Sequence, residues 1–448
     1  MRTVGRSDRK SMGPGRFLCV RDAGRRGRLI PDFHENSFNI HINGVFHCTI
    51  RYSHLFTFYE TLKREFGAGN LPPFPPKKFL PLSPIKVEER RQHLERFIQI
   101  VSQDPQISNS DVFNGFFLNA QQETQKEKAE AVSLDVFLMN GHKITVKIMS
   151  TDQTDDVLES VASQIELPDE FVYYFGLFLV QKEEEGDNSL VRKLQEFESP
   201  FISLKYANKQ GVHRIVLRKS FWDSSYEDDL LDNKVAMNLL YIQAVSDIER
   251  LWTLGTKEQI KHLATLQQRG SKREYLRLAR TMKYYGYIQF KPCYTDYPNH
   301  GCRVLVAAGH RELNFRIQTD SVPEDEEIIM DKDRKRKLEL SFEYLMAKDT
   351  LQWISLTTDQ AILISMCLQS MVDELIMKKQ GKKMKKPQDR PKGGSAPAVK
   401  RDNSYGFSLN KQFTIPSPDQ DEPKGKNDKN DKSVISNNAF DTIGDDDL

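Results

Sequence analysis

Twice in its first 150 residues this chain sets an Asn-Gly pair between two runs of alternating apolar residues. Phe38, Ile40 and Ile42 lead into Asn43-Gly44, and Val45 to Ile50 lead out. A two-residue turn needs φ > 0 at both central positions, which Asn and Gly tolerate and branched residues do not. Leu134, Val136 and Leu138 lead into Asn140-Gly141, and Ile144, Val146 and Ile148 return as a second hairpin. Each hairpin is followed by a helical pattern, so the chain opens two α+β units in succession rather than one long sheet.

The first unit spans residues 37–125. Leu55, Phe58, Tyr59, Leu62 and Phe66 fall at helical spacing, a Pro-dense stretch fills 71–84, and helices are expected at Val87–Ser102 and Asp111–Glu123. In the second unit, 132–220, a capped helix at Thr154–Gln164 and the strand-like FGLFLVQ and HRIVLRK (213–219) complete a ubiquitin-like roll. Residues 221–286 read as helical, with stretches at Asp228–Trp252 and Thr256–Tyr285. Strands return in 287–379 as YIQF, RVLVAA, ELNFRI, KLELSFEYL and LQWISL, closed by a helix from about Asp359 to Lys378. The fold class is therefore α+β and multidomain. Both ends are expected to be disordered. Residues 1–32 hold nine Arg/Lys, and Gly13, Gly15, Gly24 and Gly27 oppose the amphipathic helix of a transit peptide. Residues 380–448, rich in Lys, Pro, Asp, Asn and Ser, cannot bury enough apolar surface to offset the entropy of ordering.

Composition narrows the function. Over 448 residues, 65 Lys+Arg against 63 Asp+Glu leave a net charge of +2, which excludes a uniformly basic nucleic-acid binder. The longest dense apolar run is Phe171–Val180, too short to span a bilayer. Five widely spaced cysteines show no metal-ligand spacing, which fits a reducing, cytoplasmic setting. No nucleotide-binding, hydrolase, kinase or metalloprotease motif appears. A binding protein without cofactor or metal, rather than an enzyme, is the expectation.

The basic residues that stand out are Arg51 in Arg51-Tyr52-Ser53, Lys77 and Lys78 after Pro75-Pro76, and Arg90-Arg91. An Arg at a strand end can clamp a phosphate with two parallel N–H donors, and an adjoining aromatic can face a sugar ring. Phe79, Leu80 and Leu82 are apolar enough to enter a bilayer. The other reading makes these surface charges beside a polyproline II ligand. Lys378, Lys379, Lys382, Lys383, Lys385 and Lys386 form a second basic run, either a lipid-attracting patch or, as favoured here, a solvated linker.

Together the Arg-Tyr-Ser triplet, the Pro-Pro-Lys loop and the ERRQHLERF helix resemble the Phox-homology (PX) domain. The roll, helical and β segments that follow, with STDQTDDVLES, LVRKLQEFESP, IVLRKSFWDS and CLQSMVDEL, resemble the FERM-type module of the PX-FERM sorting nexins. The resemblance implies a peripheral cargo adaptor on the cytosolic face of early endosomes. It assigns phosphatidylinositol 3-phosphate to Arg51, Tyr52, Ser53, Lys77 and Arg90, with Arg51 on the 3-phosphate, Tyr52 under the inositol and Lys77 on the 1-phosphate. It implies that NPxY or NxxY sequences in receptor tails, those of lipoprotein receptors and integrin β subunits among them, bind the third lobe by strand addition. Val372 and Ile376, one turn apart on the closing helix, are candidates for the apolar wall of that groove or ordinary core positions. It also implies that Ile443, Gly444, Asp445, Asp446, Asp447 and Leu448 engage the retriever complex, which returns cargo to the cell surface. Two departures stand against it. Residues 319–337 are charged and lack the Trp-bearing strand of the family, and residues 1–32 do not resemble its first PX strand.

Overall fold

The computed structural model describes residues 18–22, 37–78, 82–182, 188–209, 211–317, 338–347 and 350–389. Strands β1 (Leu18–Asp22), β2 (Ser37–Ile42) and β3 (Val45–Arg51) form an antiparallel sheet in that order. The expectation of a structureless leader is thus corrected: five of its residues pair with β2, Leu18 opposite Ile42 and Asp22 opposite Phe38. The Leu18–Asp22 segment lacks an apolar alternation, and its ladder bonds come from backbone groups that composition does not reveal. Asn43 (φ 48°) and Gly44 (φ 82°) make the tight turn that the sequence demands. Helices α1 (Tyr52–Phe66), α2 (Pro84–Gln103), α3 (Pro105–Ser108) and α4 (Asp111–Gln125) pack Leu55, Phe58, Leu94, Phe97 and Phe113 onto the sheet.

The second unit contains β4 (Ala131–Phe137), β5 (Lys143–Met149), α5 (Thr154–Gln164), β6 (Phe175–Lys182), β7 (Asn188–Lys193), α6 (Pro200–Ala207) and β8 (His213–Lys219). Its strand order is β5-β4-β8-β6-β7, with β4 and β8 parallel, which is the expected roll. Its first turn differs from that at 43–44. Gly141 alone takes positive φ, and the Asn140 side chain accepts the His142 N–H at 3.0 Å, which widens the connection to residues 138–142.

Helices α7 (Tyr226–Leu230), α8 (Lys234–Glu249), α9 (Lys257–Gln268) and α10 (Lys272–Ala279) form the third unit. Asn233 caps α8 through Val235 and Ala236 N–H, and Thr256 caps α9 in a reciprocal box with Gln259. The fourth unit is a sheet of β9 (Ile288–Gln289), β10 (Cys293–Thr295), β11 (Cys302–Gly309), β12 (Glu312–Ile317), β13 (Leu338–Ala347) and β14 (Thr350–Thr358). Its order is β12-β11-β10-β14-β13, with β9 on β11, and it is closed by α11 (Ala361–Lys379). The connector 319–337 lies outside the described residues.

Strand β6 explains the apolar run in the sequence. Alternate side chains of a strand face opposite ways. Leu177 and Leu179 enter the core shared with the helical unit, while Phe178 and Val180 enter the core shared with the β14–α11 unit. Both faces of the strand are buried, so both must be apolar. β8 repeats this with Ile215 and Leu217 on one side and Val216 on the other.

Candidate functional site

Arg51 ends β3 in an extended conformation (φ −77°, ψ 151°) and α1 begins at the next residue, with no acidic side chain in its first turn. Helix N-terminal N–H groups carry partial positive charge, so this junction attracts anions. The exposed Arg51 side chain has no hydrogen bond or ion pair among the described residues. Tyr52, only 6% exposed, points the other way and donates its hydroxyl to the Pro75 carbonyl at 2.8 Å. The Arg90 guanidinium of α2 lies 4.0 Å from the centre of the Tyr52 ring and donates to the Pro76 carbonyl at 3.3 Å. Burial pushes the Tyr52 phenol up and pulls Arg90 down, each opposed by the other.

The proline loop is therefore fixed at two consecutive carbonyls. Phe74 anchors it from below, stacked on Tyr59 at 4.7 Å and edge-on to Phe97 at 5.0 Å. Lys77 and Lys78, both exposed, follow directly on the two pinned prolines. Arg91 is turned away and held by Glu88 and Glu95 at 2.7 and 2.6 Å, which separates the two neighbouring arginines by task. Tyr52, Arg90 and the Lys77 loop are thus brought together directly, with Arg51 and the half-buried Ser53 flanking Tyr52 in the chain. Tyr52 is a floor that shapes the site rather than an open platform. Phe79 and Leu80 lie outside the described residues, and Leu82 is half-buried. Ile85 in the first turn of α2 is 74% exposed, an apolar position beside the loop that pattern reading overlooked because it precedes the helical stripe.

The second set of candidates sits on α11. Ile364, Cys367 and Met371 face the sheet. Val372 is 3% exposed, while Ile376 is half-buried. The far side of α11 is held by the segment after β8: Trp222 and Asp223 N–H donate to Glu374 at 2.8 and 2.6 Å, and the Trp222 indole donates to Ser370 at 3.0 Å. Near its start, Ile362 closes over the β2–β3 turn; a Cβ at Gly44 would lie 2.8 Å from Ile362 Cδ1, so Gly is required there both for φ and for space. Trp353 on β14 is 61% exposed and takes no part in the α11 face.

Over residues 380–389 the expectation of disorder is also corrected, while residues 390–448 lie outside the described residues. Lys385 reaches Asp155 at 3.4 Å and Glu196 at 3.9 Å, Met384 packs on the core of the roll, and Gln388 donates to Asp169 at 2.8 Å. Lys378 pairs with Asp223. Part of the basic run therefore straps the chain across the roll instead of hanging free. Ile443, Gly444, Asp445, Asp446, Asp447 and Leu448 lie outside the described residues.

A polar junction fixes the first unit to the roll. Phe197, from a polar stretch, fills the core of the first unit beside Phe113 and Phe117. The next residue, Glu198, is fully buried; it pairs with Arg192 and accepts from Gln195 N–H and Ser203 Oγ, both at 2.6 Å. Gln121 of α4 bridges the two units, accepting from Ser199 N–H at 2.8 Å and donating to Ser203 Oγ at 2.9 Å. His47 of β3 stands edge-on to Phe197, and burial pulls its pKa down to about 4.

Known proteins share this organisation. The PX domain model matches residues 38–120. The sorting nexin 17/27/31 FERM F1 lobe matches 132–222, the sorting nexin 17/31 FERM F2 lobe 223–283, and the sorting nexin 17 FERM C-terminal domain 286–330 and 321–376. Sorting nexin-17 of Danio rerio is 44% identical over 92% of this chain and 96% of its own length. Sorting nexin-17 of Homo sapiens is 48% identical over 80% of this chain and 81% of its own length. Sorting nexin-31 of Homo sapiens is more distant, at 36% identity over 76% of this chain and 82% of its own length.

Proposed function

Because the chain belongs to the sorting nexin 17 family, with a PX domain ahead of three FERM lobes, we propose that it is an endosomal sorting adaptor and that its PX site binds phosphatidylinositol 3-phosphate through Arg51, Ser53, Lys77 and Arg90. The observation that carries this reading is the pinned proline loop. The Tyr52 hydroxyl and one N–H group of Arg90 hold Pro75 and Pro76, which leaves the other Arg90 donors and the exposed cations Arg51 and Lys77 for a ligand beside a helix N-terminus. Arginine's planar fork suits a phosphate, and the ammonium of Lys77 supplies a second point charge. The exposed Ile85 next to the loop gives the membrane an apolar contact.

Cargo is the second part of the proposal. An NPxY or NxxY tail, such as those of lipoprotein receptors and integrin β subunits, adds to an open edge of the third-lobe sheet with Ile376 at the apolar wall. The acidic, Leu-terminated residues Ile443 to Leu448 then engage retriever, which recycles cargo away from lysosomal degradation. A second reading keeps membrane and retriever contacts without cargo binding. The burial of Val372 favours it, since one of two wall candidates is already occupied by the protein itself.

Flotation of the full chain with vesicles containing phosphatidylinositol 3-phosphate, with and without a tethered NPxY peptide, tests both. Arg51→Ala is expected to lower binding to peptide-free vesicles at least about ten-fold, the cost of a lost charge-assisted pair. Undiminished flotation of that variant would sink the lipid site. Tighter flotation with the peptide, lost on Tyr→Ala in the peptide, supports the adaptor; no gain selects the second reading.

A further inference from the structure

The roll and the helical unit border an open cleft that shares no residue with the site around Arg51. Three arginines line it: Arg214 and Arg218 from β8, and Arg250 after α8. Their cationic groups are paired with rings more than with carboxylates. Arg218 and Arg250 lie 5.4 and 5.8 Å from the Trp252 ring, and Arg214 lies 4.8 Å from Phe137. Arg218 is 4% exposed, yet it donates no hydrogen bond among the described residues. Its one described electrostatic counterpart with a carboxylate is Asp247, and Arg250 repels it. Among the described residues the Arg250 guanidinium donates to the Asn188 carbonyl, at 3.5 Å.

A buried guanidinium is stable when its N–H groups find acceptors, and bare cation–π contact leaves most of them unused. Three guanidinium groups and no carboxylate stand among the described residues that line the cleft, so an anion is the complementary ligand. The remaining walls, Phe137, Met139, Leu190 and Val216, are apolar and suit a flat hydrocarbon body. We propose that this cleft is a binding site for a soluble phosphomonoester with an aromatic or similarly flat apolar body, held by Arg214, Arg218 and Arg250. The phosphate accepts from the arginine forks at the depth of Arg218, while the body rests between Phe137 and Trp252. That depth favours a small soluble ligand over a phosphate fixed in a bilayer surface.

Phenyl phosphate is the probe, titrated into the full chain carrying Arg51→Gln so that the PX site does not contribute, with thermal unfolding as readout. A saturable rise in Tm is expected, larger than that given by inorganic phosphate at the same concentration. Arg214→Gln and Arg250→Gln, both at half-buried positions, are each expected to weaken phenyl phosphate about ten-fold while the unliganded Tm stays near that of the parent. If Arg250→Gln fails to fold, Arg214→Gln decides alone. A Tm rise that does not saturate, or one unchanged in the variants, overturns the proposal and leaves the arginines as structural partners of Trp252 and Phe137. In the wild-type background, vesicle flotation lost in Arg250→Gln as fully as in Arg51→Gln would overturn it in favour of a lipid headgroup.

Discussion

The roll is joined to the PX domain and to the β lobe by opposite chemistry. Toward the β lobe it offers Phe178, Val180, Leu190 and Val216, an apolar face that packs on Val304, Leu356 and Met371. Toward the PX domain it offers one aromatic plug, Phe197, set beside a buried network of Arg192, Glu198, Ser203 and Gln121. Apolar packing is non-directional and tolerates small shifts. A buried polar network is built of directed bonds and admits few arrangements, and in this one Arg192 Nε is the donor left without a partner among the described residues. Through this junction the PX domain is held on the roll by hydrogen-bond geometry, whereas the β lobe is held by area.

Breaking the polar junction at its charge is expected to give the largest effect. Glu198→Gln keeps the shape but leaves the Arg192 guanidinium, 4% exposed, without its counter-charge. A buried pair broken on one side typically costs about 3–5 kcal/mol. Urea unfolding of the full chain is expected to show a loss in that range, with little change when salt is raised because the pair is shielded from solvent. Replacing both partners with Arg192→Met and Glu198→Leu should recover part of the loss, since a desolvated charge no longer remains. A loss below about 1 kcal/mol in Glu198→Gln would mean that the junction is held by the Phe197 plug and the polar contacts are incidental.

His47 makes the same junction sensitive to acid. Its Nε2 lies 3.0 Å from the Phe117 carbonyl, which requires the proton on Nε2, and Nδ1 is buried without a partner among the described residues. Burial lowers its pKa to about 4 from 6.5, opposed by Glu198. The unfolded chain therefore binds the proton first, so stability is complete above about pH 6.5 and is lost as pH falls toward 4, by up to about 3 kcal/mol. Glu198 acts in the same direction at lower pH. Burial raises its pKa, but Arg192 and its hydrogen bonds prevail and hold it below the usual value, so its contribution also falls away on acidification. His47→Gln is expected to flatten the curve between pH 6.5 and 4; an unchanged slope would place the acid sensitivity elsewhere.

How much of this was legible follows from what each residue does locally. The Asn43-Gly44 turn, the strand β6 and the helix stripes were readable because turn chemistry and apolar patterning are local signals. Arg51, Lys77 and Arg90 were singled out through a motif, and the structure adds that Tyr52 beside them is buried and holds the proline loop. Phe197 and Glu198 were quoted only as part of LVRKLQEFESP. One Phe in a polar stretch has no period, and its partners Phe113 and Phe117 belong to another unit. Lys385 was hidden for the same reason. A Lys run reads as solvent-exposed unless the acidic surface it crosses is known, and Asp155 lies far away in sequence.

That strap gives the smallest effect and the sharpest contrast with the buried pair. Lys385 is 36% exposed, its partner Asp155 8% and Glu196 34%, and its ammonium lies 5.2 Å from the Tyr173 ring. Solvent screens such a pair, so Lys385→Ala is expected to cost about 0.5 kcal/mol in urea unfolding and to cost less as salt rises. The anchor beside it is apolar: Met384 packs on the roll core without regard to salt. If Lys385→Ala instead costs as much as Glu198→Gln, the segment 382–389 folds cooperatively with the roll, and the polar contacts on this face are as all-or-none as those under the PX domain.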